Sequence, residues 1–412
     1  MNKRVVVTGM GAVTPVGNDV EAFWNGLVSG KNGVGPITRF DTSAFKVKLA
    51  AEVKDFHPED YMEKPMIRKT DLYSQYAMAA AVQAMEDSGI SGKVAPERLG
   101  VYVGSGIGGM NTFIEECTKL NESGPRKVSP FFIPKLISNI AAGNIAIRFH
   151  AMGPSMSIVT ACATSANAVG EAYRAIQRGD ADAMISGGSE ATINELAIAG
   201  FTNSKALTET EDPSRASIPF DKERSGFVMG EGGAVLILEE YEHAVARGAK
   251  IYAEICGYGN TNDAYHMTAP HPDGDGAANA IRLAVQEAGI APDAKLYINA
   301  HGTSTPLNDK TETLAFKKAL GEQARTALIS STKSMTGHML GATGAAEAIA
   351  GIFALTTGVV PPTIGYREPD PECDLDYVPN QARKAEVDFA LSTNLGFGGH
   401  NACLAFRKAE RQ

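Results

Sequence analysis

A chain of 412 residues, 44% hydrophobic and 21% charged, has room for a large core and the make-up of a globular fold. Its net charge of −9 speaks against nonspecific nucleic-acid binding, and no uniform apolar run is read as a membrane span. Five scattered cysteines without a Cys-x-x-Cys pair indicate neither a disulfide framework nor a zinc site. Met1-Asn2-Lys3-Arg4 runs directly into a strand without a signal-peptide pattern, so the expected compartment is the cytoplasm.

In chain order, Arg4 to Gly9 reads as a buried strand, and a helix starting near Asp19 carries Ala22, Phe23, Trp24 and Leu27. Residues 41–60 are polar and show no helical period. Basic residues collect at Lys64, Arg68 and Lys69, before an alanine-rich helix from Tyr76 to Asp87 that stops at Ser88-Gly89-Ile90. A strand, Gly100 to Gly104, opens onto Ser105-Gly106-Ile107-Gly108-Gly109. The β-branched run Ile158-Val159-Thr160 then predicts a strand ending at Cys162, followed by a helix with Ala166, Val169, Ala172, Tyr173 and Ile176 at helical spacing. A cysteine at a helix start faces unsatisfied N–H groups and the positive end of the helix dipole, which favours its thiolate.

Strands follow at Asp180 to Gly188 and Ala234 to Leu238. A later helix, Ala278 to Glu287, stops at Ala288-Gly289-Ile290, and a strand from Leu296 leads into His301-Gly302-Thr303. The run Leu328 to Ser334, with Lys333, precedes a small-residue helix from Gly341 to Ile352. The last strand, Phe389 to Asn394, opens onto Gly396-Phe397-Gly398-Gly399.

Ala-Val-Gln recurs at 81–83 and 284–286, each time before a Gly-Ile helix stop, and Val159 to Val169 parallels Leu328 to Ser334 with the helix after it. These parallels predict two copies of one α/β unit, residues 1–250 and 251–412, with mostly parallel strands covered by helices. Sites in such sheets form beyond the carboxyl ends of strands. Cys162, His301 and Lys333 fall at such ends and are expected to share a pocket, joined by His338 in Lys333-Ser334-Met335-Thr336-Gly337-His338. Neutral imidazole N–H groups can hold negative charge that develops on a thioester oxygen. Metal binding by the pair is the competing use, and no carboxylate or third histidine stands at ligand spacing.

Thr160-Ala161-Cys162, Asn299-Ala300-His301-Gly302-Thr303-Ser304-Thr305, Lys333 to His338 and Gly396-Phe397-Gly398-Gly399 together resemble the signature motifs of the β-ketoacyl-acyl-carrier-protein synthases, most closely the bacterial type II elongating branch, synthase II. The resemblance runs nearly end to end and includes Asp263 to Thr268. It implies a thiolase-like fold, a duplicated α/β unit forming a five-layered α/β/α/β/α core, acting as a homodimer. It implies further that Cys162 takes an acyl chain from acyl-carrier protein and that malonyl-carrier protein then loses carbon dioxide and attacks it. His301 and His338 are implied to hold the enolate oxygen, Lys333 to order the site, and the N–H groups of Cys162 and Phe397 to form the oxyanion hole.

By the same resemblance Phe397, beside Gly398, is a gate over the cysteine. Ile107 and Phe201 line the acyl pocket, Thr303 and Thr305 bind the phosphopantetheine arm, and Glu312 and Glu347 are acids near the site. Asn299, Glu347 and Ser392 are a possible site for a structural monovalent cation; no other cofactor is required. An acidic enzyme needs a basic patch for an acidic carrier protein, and Lys64, Arg68, Lys69, Arg126, Lys127 and Lys205 are its candidates. Departures from the family pattern are Ser165 for a glycine, Leu395 for an aromatic residue and His400 for a threonine. The alternatives are a polyketide-type ketosynthase, synthase I-like specificity, a thiolase or initiating enzyme working on coenzyme A esters, and a non-catalytic chain-length factor, which would lack the cysteine.

Overall fold

The structure is a computed structural model and describes residues 3–410. One half contains β1 (Val5–Val13), α1 (Leu72–Ser88), β2 (Leu99–Gly104), β3 (Ser155–Met156), α2 (Thr164–Arg178), β4 (Ala183–Glu190) and β5 (Gly232–Glu240). The other contains β6 (Ala253–Asn262), α3 (Asp275–Ala288), β7 (Leu296–Asn299), α4 (Pro306–Leu320), β8 (Leu328–Ser330), α5 (Thr343–Thr357), β9 (Phe389–Gly396) and β10 (His400–Arg407). The ten strands are hydrogen-bonded in the order β8-β7-β9-β10-β6-β1-β5-β4-β2-β3. Read outward from the middle, each half repeats the other, strand for strand and direction for direction. The seam is short: only Val5–Val7 of β1 pair with Ala253–Ile255 of β6.

Helices α2 and α5 pack on each other between the two half-sheets. Outside, α1 covers β1, β4 and β5, while α3 covers β6 and β10 with α4 against it. The result is the five-layered α/β/α/β/α arrangement. Residues 340–357, which include α5, are apolar and long enough to cross a membrane, a stretch the sequence reading passed over. They are 83% buried, as a helix packed on every side must be, and form the centre of the core.

Three expectations need correction. The strands are not mostly parallel: β2, β3 and β4 run parallel, as do β7, β8 and β9, but β5, β1, β10 and β6 pair antiparallel. Antiparallel neighbours need no crossover helix, and β9 turns straight into β10 through Gly398 and Gly399, whose φ values of +88° and +78° suit glycine. The alanine-rich helix starts four residues early, at Leu72, because the Asp71 side chain accepts from the Tyr73 N–H and caps it. Finally, Ile158-Val159-Thr160 is not a strand. β3 pairs with β2 only at Ser155 and Met156, and the ladder stops there although β2 continues through Val103 and Gly104.

Candidate active site

Cys162 sits in the short 3-10 turn Ala161–Ala163 that leads into α2. Ala161 has φ +51°, a left-handed conformation that an alanine adopts at a cost of about 1–2 kcal/mol. The turn is braced around it. The Thr160 N–H donates to Thr164 Oγ1 at 2.9 Å, Asn167 Nδ2 to Thr160 Oγ1 at 2.8 Å, and the Tyr258 hydroxyl to Asn167 Oδ1 at 3.0 Å. Gly396 closes in from β9, where a Cβ would stand 2.5 Å from the Thr160 oxygen and 3.3 Å from the Cys162 nitrogen. This approach lets the N–H groups of Phe397 and of Cys162 itself both face the sulfur.

The electrostatics reverse one expectation. Lys333 and the two N–H groups pull the Cys162 thiol down, but burial outweighs them and pushes it up to about 12. The resting nucleophile is a thiol.

His301 follows β7, and its backbone is fixed by a buried carboxylate: the His301 and Gly302 N–H groups donate to Glu312 at 2.7 and 2.8 Å, and Thr393 Oγ1 donates to the same group at 2.7 Å. His338 lies after the short helix Lys333–Thr336 and is clamped in an isolated bridge, its N–H donating to the Val228 oxygen at 2.7 Å and its oxygen accepting from Gly230 at 2.9 Å. The two imidazoles meet edge to face with centroids 5.3 Å apart. Burial, with Lys333 nearby, holds both well below the ordinary imidazole range, so both are neutral. His338 Nδ1 lies 3.3 Å from Thr343 Oγ1.

Lys333 is buried and ion-paired to Glu347, whose other oxygen accepts from Asn394 Nδ2 at 2.6 Å. Burial pushes Glu347 up to about 7 and Glu312 likewise. Asn299 and Ser392 face each other across β7 and β9. Asn299 Oδ1, Ser392 Oγ and Asn394 Oδ1 are buried without a hydrogen-bond partner, the surroundings a small cation would complete.

Cys162, His301 and His338 line one pocket of about 380 Å³. Phe201, Phe227, Phe397 and Leu340 contribute apolar walls, and Thr303 and Thr305, whose hydroxyls are 2.9 Å apart, lie on its rim with the exposed Lys205. The Phe397 ring stands 6.3 Å from Phe201. Gly398 donates its N–H to the Met267 oxygen at 2.7 Å and Asp263 to the Gly399 oxygen at 2.8 Å, so the Phe397 loop is tied to residues 263–267.

The structure does not bring Ile107 into this pocket. Its N–H is held by Glu190, the Gly106 backbone before it lies against the Cys162 turn, and Ile107 itself is 39% exposed. Lys64, Arg68, Lys69, Arg126 and Lys127 are all exposed, on two short helical turns. Sequence reasoning missed Asn394, Gly396 as the close-approach residue, and Glu190 at the end of β4. A glutamate closing an otherwise small and apolar strand was the available signal for the last.

Residues 2–244 match the family model described as Beta-ketoacyl synthase, N-terminal domain, and residues 252–367 match Beta-ketoacyl synthase, C-terminal domain. The chain is 52% identical over 410 residues to the 3-oxoacyl-[acyl-carrier-protein] synthase 2 of Staphylococcus aureus (strain COL), covering 99% of each. It is 52% identical over 408 residues to the protein of the same name from Synechocystis sp., covering 98% of each. Among solved structures, the ketosynthase complex described as AntDE:AntF, a type II PKS acyl-carrier protein with its ketosynthase bound to the hexaketide, superposes with TM-score 0.92 at 37% identity, over 99% of this chain and 100% of that one. With a cysteine and two neutral histidines lining one pocket, and Lys333 buried behind them rather than lining it as the sequence predicts, the chain belongs to the β-ketoacyl synthase family.

Proposed function

We propose that this protein is an acyltransferase that lengthens fatty acyl chains by two carbons, through decarboxylative condensation of malonyl-acyl-carrier protein with an acyl group held on Cys162. The observation that carries this reading is a buried thiol sharing one pocket with two neutral, backbone-clamped imidazoles.

In the first step the Cys162 sulfur bonds to the acyl carbon of acyl-carrier protein, and its proton passes to the departing pantetheine sulfur. The N–H groups of Cys162 and Phe397 hold the tetrahedral oxygen, each donor worth on the order of 3 kcal/mol of barrier. In the second, the malonyl thioester oxygen lies between His301 and His338. Loss of carbon dioxide leaves an enolate that their N–H groups stabilise. The enolate carbon attacks the acyl carbon on Cys162, the carbon–sulfur bond breaks, the sulfur leaves as a thiolate that takes up a proton from water to restore the thiol, and the β-ketoacyl product leaves on the carrier protein. Neutral rings suit this role, since they donate to a developing oxyanion without having to surrender a charge-bearing proton. Glu347 holds the Lys333 ammonium in place, where its charge acts on Cys162, His301 and His338.

Thr303 and Thr305 at the rim are placed to hydrogen-bond the pantetheine arm, and the exposed basic residues from Lys64 to Lys69, with Arg126, Lys127 and Lys205, suit an acidic carrier protein. Asn299, Ser392 and Glu347, with Asn394, would hold a monovalent cation; when bound it adds positive charge that fixes the ends of β7 and β9. The edge strand β3 is exposed and flanked by exposed Ile107, Ile133, Ile137 and Val159, a face that a second copy of the chain would cover as a homodimer. The reading requires no membrane, nucleic acid or organic cofactor, and fits a cytoplasmic enzyme. Mixing the protein with acyl- and malonyl-carrier proteins tests it by mass analysis of the products. A β-ketoacyl-carrier protein two carbons longer is the expected result; consumption of coenzyme A esters alone would point to the thiolase or initiating class.

A further inference from the structure

Glu190 ends β4 with no exposed surface, and no step above uses it. Its carboxylate accepts from Ser105 Oγ at 2.9 Å, the Gly106 N–H at 2.9 Å, the Ile107 N–H at 3.2 Å and the Gly341 N–H at 3.1 Å. Three of the four partners are backbone N–H groups, the fourth is a hydroxyl and none is a cation, so the arrangement favours the ionised acceptor. Burial pushes Glu190 up to about 7 against those bonds. The packing leaves no slack. A Cβ on Gly106 would stand 2.7 Å from Glu190 Oε2 and 3.4 Å from the Ala161 oxygen, and one on Gly341 would stand 2.9 Å from Oε2 and 2.5 Å from the Gly106 nitrogen. One carboxylate thus joins the Ile107 loop to the turn that follows His338, and the Gly106 backbone of that loop lies against the Cys162 turn.

The internal repeat points the same way. Gly104 and Asn299 end the equivalent strands β2 and β7, so Gly106-Ile107 and His301-Gly302 occupy matching places. In the second half the two amides donate to Glu312; in the first half they donate to Glu190. Both acids are buried and pushed up to about 7. Glu312 fixes the loop of a histidine that works on the malonyl group. Its counterpart grips the loop and turns around the cysteine.

We propose that Glu190 is a positioning residue for acyl transfer, whose ionised carboxylate holds the Ser105–Ile107 loop and Gly341 against the Cys162 turn in the arrangement that receives the acyl chain. The proposal rests on the condensing reading above. Glu190 exchanges no proton or bond in the transfer itself.

The test uses the full-length protein and two variants, Glu190→Gln and Glu190→Asp, with two measurements: single-turnover acyl transfer to Cys162 and the pH dependence of Cys162 alkylation by iodoacetamide. The glutamine removes the charge and places an NH2 group among donors; the aspartate keeps the charge but falls one methylene short. Acyl transfer is expected to slow roughly tenfold or more in both variants. The alkylation midpoint is expected to move to lower pH in Glu190→Gln alone, because a negative charge near the sulfur is gone. Wild-type transfer rates in the folded variants overturn the proposal, as does slowed transfer in Glu190→Gln with an unmoved alkylation midpoint, which marks a structural role only. If Glu190→Gln does not fold, Glu190→Asp decides: slowed transfer with an unchanged alkylation profile supports the proposal, and unchanged transfer refutes it. A wild-type protein that accepts no acyl group instead refutes the condensing reading, and the alkylation profiles still report on Glu190.

Discussion

The two halves of the molecule share a topology and part company where the third strand hands over to the central helix. In the first half only residues 157–160 separate β3 from the turn Ala161–Ala163; in the second, residues 331–339 separate β8 from the turn Leu340–Ala342. The turns themselves match. Ala161 and Leu340 both take left-handed φ values, +51° and +45°, and Thr164 and Thr343 both reach back, one to the Thr160 N–H and the other to His338. Cys162 therefore stands where the second copy has Gly341, whose missing side chain lets the Gly106 backbone approach. One copy uses the turn itself for its nucleophile. The other leaves the turn bare and carries its chemistry, Lys333 and His338, in the longer segment before it.

If the Cys162 turn and the two histidines divide the labour in this way, damage to either should spare the step assigned to the other. The largest effect is expected from His301→Ala or His338→Ala, each lowering malonyl decarboxylation on the order of 10²–10³-fold, with acyl loading of Cys162 still detectable by mass spectrometry. Equal loss of both steps would break the comparison. Lys333→Ala leaves the Glu347 carboxylate buried without its partner and should cost about 3–5 kcal/mol in denaturant unfolding, part of it restored by adding Glu347→Gln. An unchanged unfolding midpoint would show that the pair contributes little.

Gly396→Ala, whose Cβ would press on the Thr160 oxygen at 2.5 Å, should slow acyl loading roughly tenfold by displacing the Phe397 N–H, and should affect decarboxylation less. Charge reversal at Lys64, Arg68 and Lys69 should raise KM for acyl-carrier protein roughly tenfold while sparing small thioesters; equal loss on both substrates would count against a docking role. The smallest effect is a null one. Burial holds His301 and His338 neutral well below 6.5, so as pH falls through 6.5 the unfolded chain takes up protons first. Their contribution to stability is therefore present above that pH and is lost as pH falls toward their folded values. Decarboxylation should show no histidine inflection near 6.5, and an inflection there that vanishes in His338→Ala would contradict neutral imidazoles.

Much of this was legible in the chain. His301 and Lys333 follow the ends of the parallel strands β7 and β8 as the sequence predicts, whereas Cys162, expected at a strand end too, follows an unpaired segment and a 3-10 turn. The duplication was visible in the Gly-Ile helix stops, but one of its registers was misjudged: Val159 to Val169 had been matched to Leu328 to Ser334, whereas the Cys162 turn corresponds to Leu340–Ala342. Local similarity of β-branched runs outweighed the inserted segment that displaced it. The thiol was misread for a different reason. A helix start is written in local sequence, while the burial that overrides it comes from Phe227, Leu340 and Ile198, brought in from distant parts of the chain. Ile107 is placed in the pocket by family pattern alone, while its loop is held by Glu190, a long-range contact whose partner the lone glutamate at the end of β4 does not name.

The division of labour is tested most directly by intact-protein mass spectrometry of the wild type and of a His301→Ala/His338→Ala variant, each given acyl-carrier protein bearing a medium-length chain and then malonyl-carrier protein. The account predicts an acyl adduct on Cys162 in both, discharged as a two-carbon-longer product only by the wild type. An adduct that fails to form in the variant, or that is discharged as readily there, would contradict it.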